Sequence, residues 1–297
     1  MLYNNLSSYL KAKYGKRLSK ICIDGGFGCP NRDGTCGHGG CIFCGERGAG
    51  EHIDYAKSIF RQVEDAISRS RDTDEFIAYF QNFTNTYAPT SVLKERYDSA
   101  LINDRIRILA IGTRPDCIDE EIADLIVSYK SRVDVWVELG LQSASDRTAE
   151  VINRGYKTEV YERAAQILHS RGIPFVTHMI IGLPGEDERE IDATVDVVNK
   201  LSWGVKIHSL YVMEGTALAE MYRDGNYTPP TLSRYVDLAA RSVARLHPDM
   251  IVHRLTGDCP DGLLVAPEWN TDKNKIIELI RHRLEKDGLR QGSLFAK

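Results

Sequence analysis

Four of the chain's seven cysteines fall between Cys29 and Cys44, in the stretch CPNRDGTCGHGGCIFC. Cys41 and Cys44 form a C-x-x-C pair, a spacing that lets two thiolates reach one metal centre. Cys29 or Cys36 can supply a third, as C-x11-C-x2-C or C-x4-C-x2-C. Three thiolates on a four-iron cluster leave one iron open for a substrate or cofactor. Four thiolates around one zinc make a closed structural knuckle instead. Spacing alone leaves iron–sulfur and zinc both open. A disulfide or redox pair is disfavoured, because the N-terminus lacks the apolar core of a signal peptide and a cytoplasmic location is expected.

Such a loop needs elements to hold it. A chain of 297 residues, 42% hydrophobic and 27% charged, is ordinary for one large globular domain or two small ones. It contains no run of 18 apolar residues, so no membrane span is expected. Short runs rich in Ile, Val, Phe and Tyr predict strands at 20–24, 76–81, 106–111, 133–141, 174–181 and 205–212. Amphipathic stretches predict helices at 56–69, 91–102, 119–129, 158–171 and 190–201. Strands alternating with helices imply a parallel α/β sheet, doubly wound or part of a (β/α) barrel. No linker-like composition cuts the chain. Residues 1–214 are read as one catalytic core, and 215–297 as an extension packed on it, with helices at 233–246 and 272–286.

In either architecture active groups gather at the C-terminal ends of the strands. Here those ends read as the cysteine loop, QNFTNT, GTRPDC, ELGLQS, HMIIGLPGE and KIHSLYV. Lys206 and His208 alternate on the sixth strand and share a face. Charge is uneven along the chain. Residues 1–23 carry +5 and residues 273–297 carry +4, so with the whole chain at −4 the middle carries −13. Basic ends on an acidic body suit a polyanion such as RNA, or are merely solvated faces.

The ordered set of motifs is specific. CPNRDGT…GGCIFC, YFQNFTNT at 79–86, TRPDC at 113–117, VELGLQS at 137–143, NRGY at 153–156, HMIIGLPGED at 178–187, KIH at 206–208 and IVHRLTGD at 251–258 span nearly the whole chain. The set resembles the radical SAM superfamily. It is most similar to the group containing the catalytic subunit of Elongator and the MnmL-like YhcC/YtqA branch. The resemblance implies a partial (β/α)6 TIM-like barrel with a short C-terminal α/β extension. It also implies a [4Fe–4S] cluster, S-adenosyl-L-methionine, a reductant such as flavodoxin or ferredoxin, and tRNA as partner. The reaction implied is a change to the C5 substituent of wobble uridine, driven by a 5′-deoxyadenosyl radical. A radical SAM reaction on a small molecule or peptide, and a zinc knuckle that binds RNA without catalysis, are the alternatives.

Site residues follow by motif position. The resemblance implies Cys29, Cys41 and Cys44 as cluster ligands, with Cys36 a spare thiol. Asn82, Phe83 and Thr84 occupy the segment whose backbone meets the methionyl amino group in relatives, without the usual glycines. Gln142 and His178 fall at ribose contacts, Arg154 at the methionyl carboxylate, and Gly182 and Pro184 at the turn near adenine. Gly112 stands where relatives carry a glutamate. Lys206, His208, His253 and Arg254, with Glu138 and Asp258, are candidates for the substrate side. Read without the resemblance, Gln142 is a strand-end turn residue, His178 a satisfied core histidine and Arg154 a surface helix cation. Tyr79, Phe80, Phe83 and Tyr87 read as packing aromatics before a base-stacking platform. Cys22, Cys117 and Cys259 read as small buried hydrophobes.

Overall fold

The computed structural model describes residues 1–48, 53–71 and 73–296. The strands are β1 (Ser19–Ile23), β2 (Phe76–Phe80), β3 (Ile106–Thr113), β4 (Asp134–Gln142), β5 (Phe175–Ile181) and β6 (Gly204–Ser209). They pair side by side in chain order, all parallel. The crossovers that parallel pairing requires carry α2 (Ile59–Arg69), α3 (Thr90–Ala100), α4 (Glu120–Ser128), α6 (Thr158–Ser170) and α7 (Glu188–Leu201), with a short α5 (Asp146–Val151) before α6. The result is a curled half-barrel of seven strands, because a further one, β8 (Ile251–Arg254), pairs parallel to β6.

The expected strand at 205–212 ends earlier than its apolar run suggests. The chain turns at Leu210 and resumes as β7 (Val212–Met213), which pairs antiparallel with β9 (Leu264–Ala266). Between them lie α8 (Ala217–Arg223) and α9 (Leu232–Arg245), and α10 (Lys273–Lys286) follows. The extension is therefore woven into the core: β8 completes the sheet, and Tyr235, Val243, Ile276 and Ile280 join the same apolar cluster as the strands.

Side chains alternate across each strand, which sorts the sheet into two faces. The outer face, with Ile21, Ala78, Leu109, Val137, Met179 and Ile207, packs under the helices in one continuous core. Each of the larger side chains among them contributes about 1.5–3 kcal/mol on burial. Helix ends are locally specified. Asp119 caps α4, and Asp187 with Glu190 forms a reciprocal capping box at α7.

The inner face has its own apolar floor. Ile77, Ile108, Trp136 and Val176 meet Leu10, Leu6 and Tyr9 of α1 (Leu6–Tyr14), a helix that plugs the lower end of the half-barrel. The segment before it seals the free edge of β8, with Val252 N–H donating to Asn4 O at 2.7 Å. This position decides the fate of the basic N-terminus. Lys13 pairs with Asp134 at 2.6 Å and Lys16 with Glu75 at 3.3 Å, both at the lower rim. Lys20 points into the barrel, 3.7 Å from Glu138. Of the five cations behind the +5 seen in the sequence, two are thus paired at the end opposite the cysteine loop and a third is paired inside the barrel.

Candidate active site

The cysteine loop leaves the upper end of β1 and is folded by its own turn residues. Arg32 N–H donates to Cys29 O at 2.9 Å, Gly40 N–H to Asn31 O at 2.9 Å, and Cys44 N–H to Cys41 O at 2.9 Å. Two clamps hold it. The Arg32 guanidinium bonds the carbonyls of Cys44, Gly45 and Glu46. The turn of NRGY supplies the other: Asn31 Nδ2 donates to Asn153 O at 2.6 Å, and Asn153 Nδ2 donates to Gly40 O at 2.8 Å. The fit leaves no room at residue 155. A Cβ on Gly155, whose φ is +83°, would lie 2.6 Å from Asn31 Oδ1.

Within this frame Cys29, Cys41 and Cys44 line one cavity of about 270 Å³ inside the barrel. Cys36 does not. It is exposed and lines a separate hollow beside Cys117 and Asp116. The geometry thus divides four cysteines that spacing leaves equal. Asn31 Nδ2 lies 3.9 Å from Cys41 Sγ, and burial raises the Cys41 thiol to about 12, with Cys44 and Cys29 adding to the shift. Bare thiolates are disfavoured there, so a bound metal's charge would be what stabilises them. Three soft sulfur donors lining one cavity suit an iron–sulfur cluster or another thiophilic metal centre.

The strand ends complete the wall. Gln81, Phe83 and Thr84 follow β2, Gly112, Thr113 and Arg114 follow from β3, and Gln142 ends β4. Tyr156, from NRGY, stands beside them. Among the described residues, Thr84 Oγ1 and His208 Nε2 find no hydrogen-bond partner and are buried, as groups awaiting a polar ligand are. Phe83, Gln142 and Asn153 are the non-glycine residues with left-handed backbone among those described, with φ of 55°, 62° and 51°. Two of them line the cavity and the third clamps its loop. Strain concentrated in this way costs of order 1–3 kcal/mol per residue and marks sites where geometry is imposed. A second cavity of about 490 Å³ shares Cys44, Gln142, His178, His208 and Arg254 with the first and continues toward Tyr211, Asp258 and Lys273.

One carboxylate organises the floor. Glu138 is 1% exposed. It bonds Lys206 through Oε2, faces His178 Nε2 at 2.9 Å, and accepts from Trp136 Nε1 at 3.3 Å. Burial alone would raise its carboxyl, but Lys206, Lys20 and His178 hold it well below the usual range. Burial and Lys206 bring His178 down to about 4, so the imidazole is neutral near pH 7. With Glu138 ionised, His178 Nε2–H is the donor.

Several expected residues lie elsewhere. Arg154 is fully buried behind the β4 end, where it donates to the carbonyls of Leu141, Ser143 and Tyr156. It shapes the turn and is absent from the cavity wall, and it is no surface cation. Asn82 donates to Asp24 at 2.7 Å beneath the wall. Gly182 sits on a different hollow with Pro184 and Pro230, its carbonyl accepting from Tyr227. His253 packs edge-on against Trp136 and Trp203 in the lower layer, with neither ring nitrogen bonded to any described residue. That is a core position, away from the residues that line the cavity. Arg114, held by Asp116 at 2.6 and 3.0 Å and placed over Tyr156, is on the wall though sequence reasoning assigned it no role. The Arg-Pro-Asp run within TRPDC was its available signal.

Comparisons with known proteins define the class. A sequence model described as the radical SAM superfamily matches residues 26–198, and one described as the Radical_SAM C-terminal domain matches residues 202–286. The chain is 37% identical to Bacillus subtilis YtqA over 300 residues, covering 99% of this chain and 93% of that protein. It is 28% identical over 190 residues to the tRNA uridine(34) acetyltransferase of Methanocaldococcus infernus, covering 61% of this chain and 34% of that enzyme. Among solved structures, archaeal Elp3 of Methanocaldococcus infernus superposes with a TM-score of 0.69 at 19% identity, covering 92% of this chain and 64% of that one.

The chain belongs to the radical SAM superfamily, in the branch that includes YtqA and Escherichia coli YhcC. Enzymes of this superfamily use a [4Fe–4S] cluster and S-adenosyl-L-methionine.

Proposed function

We propose that this enzyme modifies the C5 substituent of a wobble uridine in tRNA, with Cys29, Cys41 and Cys44 holding the cluster. The observation that carries the reading is the convergence of those three thiols, and not Cys36, with the strand-end residues on one cavity. When held by Cys29, Cys41 and Cys44, the cluster with S-adenosyl-L-methionine would supply one-electron radical chemistry at this cavity.

The chain's residues position and seclude that chemistry. Asn31, Arg32 and Asn153 fix the loop so that three thiols face inward. Gln142 and the neutral His178 offer hydrogen bonds to hydroxyls. Thr84 and the backbone at Phe83 provide polar contacts at the β2 end, and Arg114 places a cation on the same wall. The plug formed by α1 closes the lower end and excludes water from below. A one-electron reductant of the flavodoxin or ferredoxin class completes the cycle.

The tRNA assignment draws on similarity to an enzyme whose name specifies uridine 34. That match covers a third of the other enzyme, so only the radical-generating part is carried over. The basic N-terminus lends little support, since Lys13 and Lys16 are paired at the far rim. Exposed Lys275, Arg281 and Lys286 on α10 are the better phosphate-binding candidates.

The test uses anaerobically reconstituted enzyme, a reductant, S-adenosyl-L-methionine and tRNA from cells lacking the enzyme. Stimulated 5′-deoxyadenosine formation and a mass change confined to the wobble nucleoside are expected. Cofactor cleavage that tRNA neither stimulates nor couples to a mass change contradicts the assignment and favours a small-molecule or peptide substrate.

A further inference from the structure

The layer above the plug is charged where an apolar layer would close the barrel equally well. Ile77, Ile108 and Val176 fill the layer below. One step higher the inward positions are Lys20, Tyr79, Glu138, His178 and Lys206. Pairing Lys206 with Glu138 adds little stability, because desolvating both ions offsets their attraction. Their retention calls for another reason.

Glu138 is pinned from several sides. Its Oε2 takes Lys206 Nζ and His178 Nε2, while Oε1 takes Trp136 Nε1 and faces Lys20 Nζ. Lys206 is 3% exposed, yet it lines the cavity. An ammonium has three N–H donors. One meets Glu138, a second points to the Tyr79 hydroxyl at 3.4 Å, and among the described residues none takes the third, which is left for a group in the cavity.

We infer that Lys206 is a proton donor to the substrate group that reaches the cavity floor, and that Glu138 is the positioning residue that aims it. The inference rests on the reading of this cavity as the place where cofactor and substrate meet. In the step, an N–H bond of the ammonium breaks as an X–H bond forms on the substrate. The electron pair stays on Lys206 nitrogen, and no oxidant or reductant is consumed. Water replaces the proton from the second cavity, past His208 and His178, whose ring centroids are 5.0 Å apart.

The surroundings suit the role. Lys206 is faced by Lys20 and Cys22 on β1, Tyr79 on β2, Glu138 on β4, His178 on β5, His208 on its own strand and Arg254 on β8. Burial, against the opposing pull of Glu138 and with Lys20 and Arg254 adding to it, lowers the ammonium to about 7. A donor close to ambient pH transfers most efficiently.

The experiment compares full-length wild type, Lys206→Arg and Lys206→Met, each reconstituted with cluster and given S-adenosyl-L-methionine and tRNA. The variants should bind the cofactor within about threefold of wild type and still form 5′-deoxyadenosine, while modified nucleoside falls by about 100-fold or more. Wild-type single-turnover product formation should decline as pH rises through neutrality, and the residual rate of Lys206→Arg should not. In ¹³C-labelled lysine spectra, one signal should titrate well below the ordinary lysine range and be missing from both variants. Product formation by Lys206→Arg within about threefold of wild type overturns the inference, and so does the lack of a low-titrating lysine signal. If wild type itself leaves tRNA unchanged, the tRNA assignment fails, and the lysine spectra still decide this inference.

Discussion

On β4, Trp136 and Glu138 point to the same side of the sheet two residues apart, yet their surroundings differ sharply. Trp136 lies among Ile77, Ile108, Val176 and Trp203, closed from below by α1. Glu138 lies among Lys20, Lys206 and His178, beneath three thiols. The lower storey is built as a protein core, and the upper as a chamber whose polar groups are held rigidly and left partly unsatisfied. One strand therefore serves stability at its start and chemistry at its end, as expected where loops at one rim carry function.

The largest test of this division is to remove the charge that holds the upper storey together. Glu138→Leu should cost about 3–5 kcal/mol, because Lys206 is left buried without its partner. Glu138→Leu combined with Lys206→Met should recover most of that loss in denaturant unfolding. A double variant no more stable than the single one would show that the pair does not act as a unit.

Acid should act next most strongly. His178, His208 and His253 are buried and neutral, with folded values below the ordinary histidine range. The unfolded chain binds those protons first, so the stability they contribute above about pH 6.5 is lost as pH falls. Glu186 opposes this, since burial raises its carboxyl to about 8 and the folded state holds that proton. Three protons against one leave a net loss of about 3 kcal/mol per pH unit between about pH 6 and 5. Unfolding free energies measured across that window check the slope.

His253→Phe should do least. The ring sits edge-on to two tryptophans with neither nitrogen bonded among the described residues, so an apolar ring of similar shape should change stability by less than about 1 kcal/mol. Product formation should stay at the wild-type level, and the acid slope should shrink by about one proton. A large loss of activity would move His253 from the core to the chamber.

The upper storey was more legible in sequence than the lower one. Strand ends announce themselves through glycine and polar clusters, and the alternation of Lys206 with His208 already placed both on one face. The plug was missed because LSSYLKAKY offers few apolar positions and its lysines read as a solvated tail. Only the acidic lower rim, formed by Asp134 and Glu75 from distant segments, explains them. The strand Ile251–Arg254 was missed for a related reason. Four residues with a histidine carry little periodicity, and their place beside β6 is set by pairing that no local pattern reveals. Arg154 shows the limit of motif position. Which carbonyls a guanidinium meets depends on how the turn after β4 folds, and here they lie behind the wall.

The central claim is that three of the four clustered cysteines, and not the fourth, hold the cluster. Anaerobic iron and sulfide analysis of wild type, Cys29→Ala and Cys36→Ala tests it directly. Wild type and Cys36→Ala should each retain about four irons and four sulfides per chain with the same brown chromophore, and Cys29→Ala should lose nearly all of it. Loss of the cluster from Cys36→Ala with retention in Cys29→Ala would contradict the account.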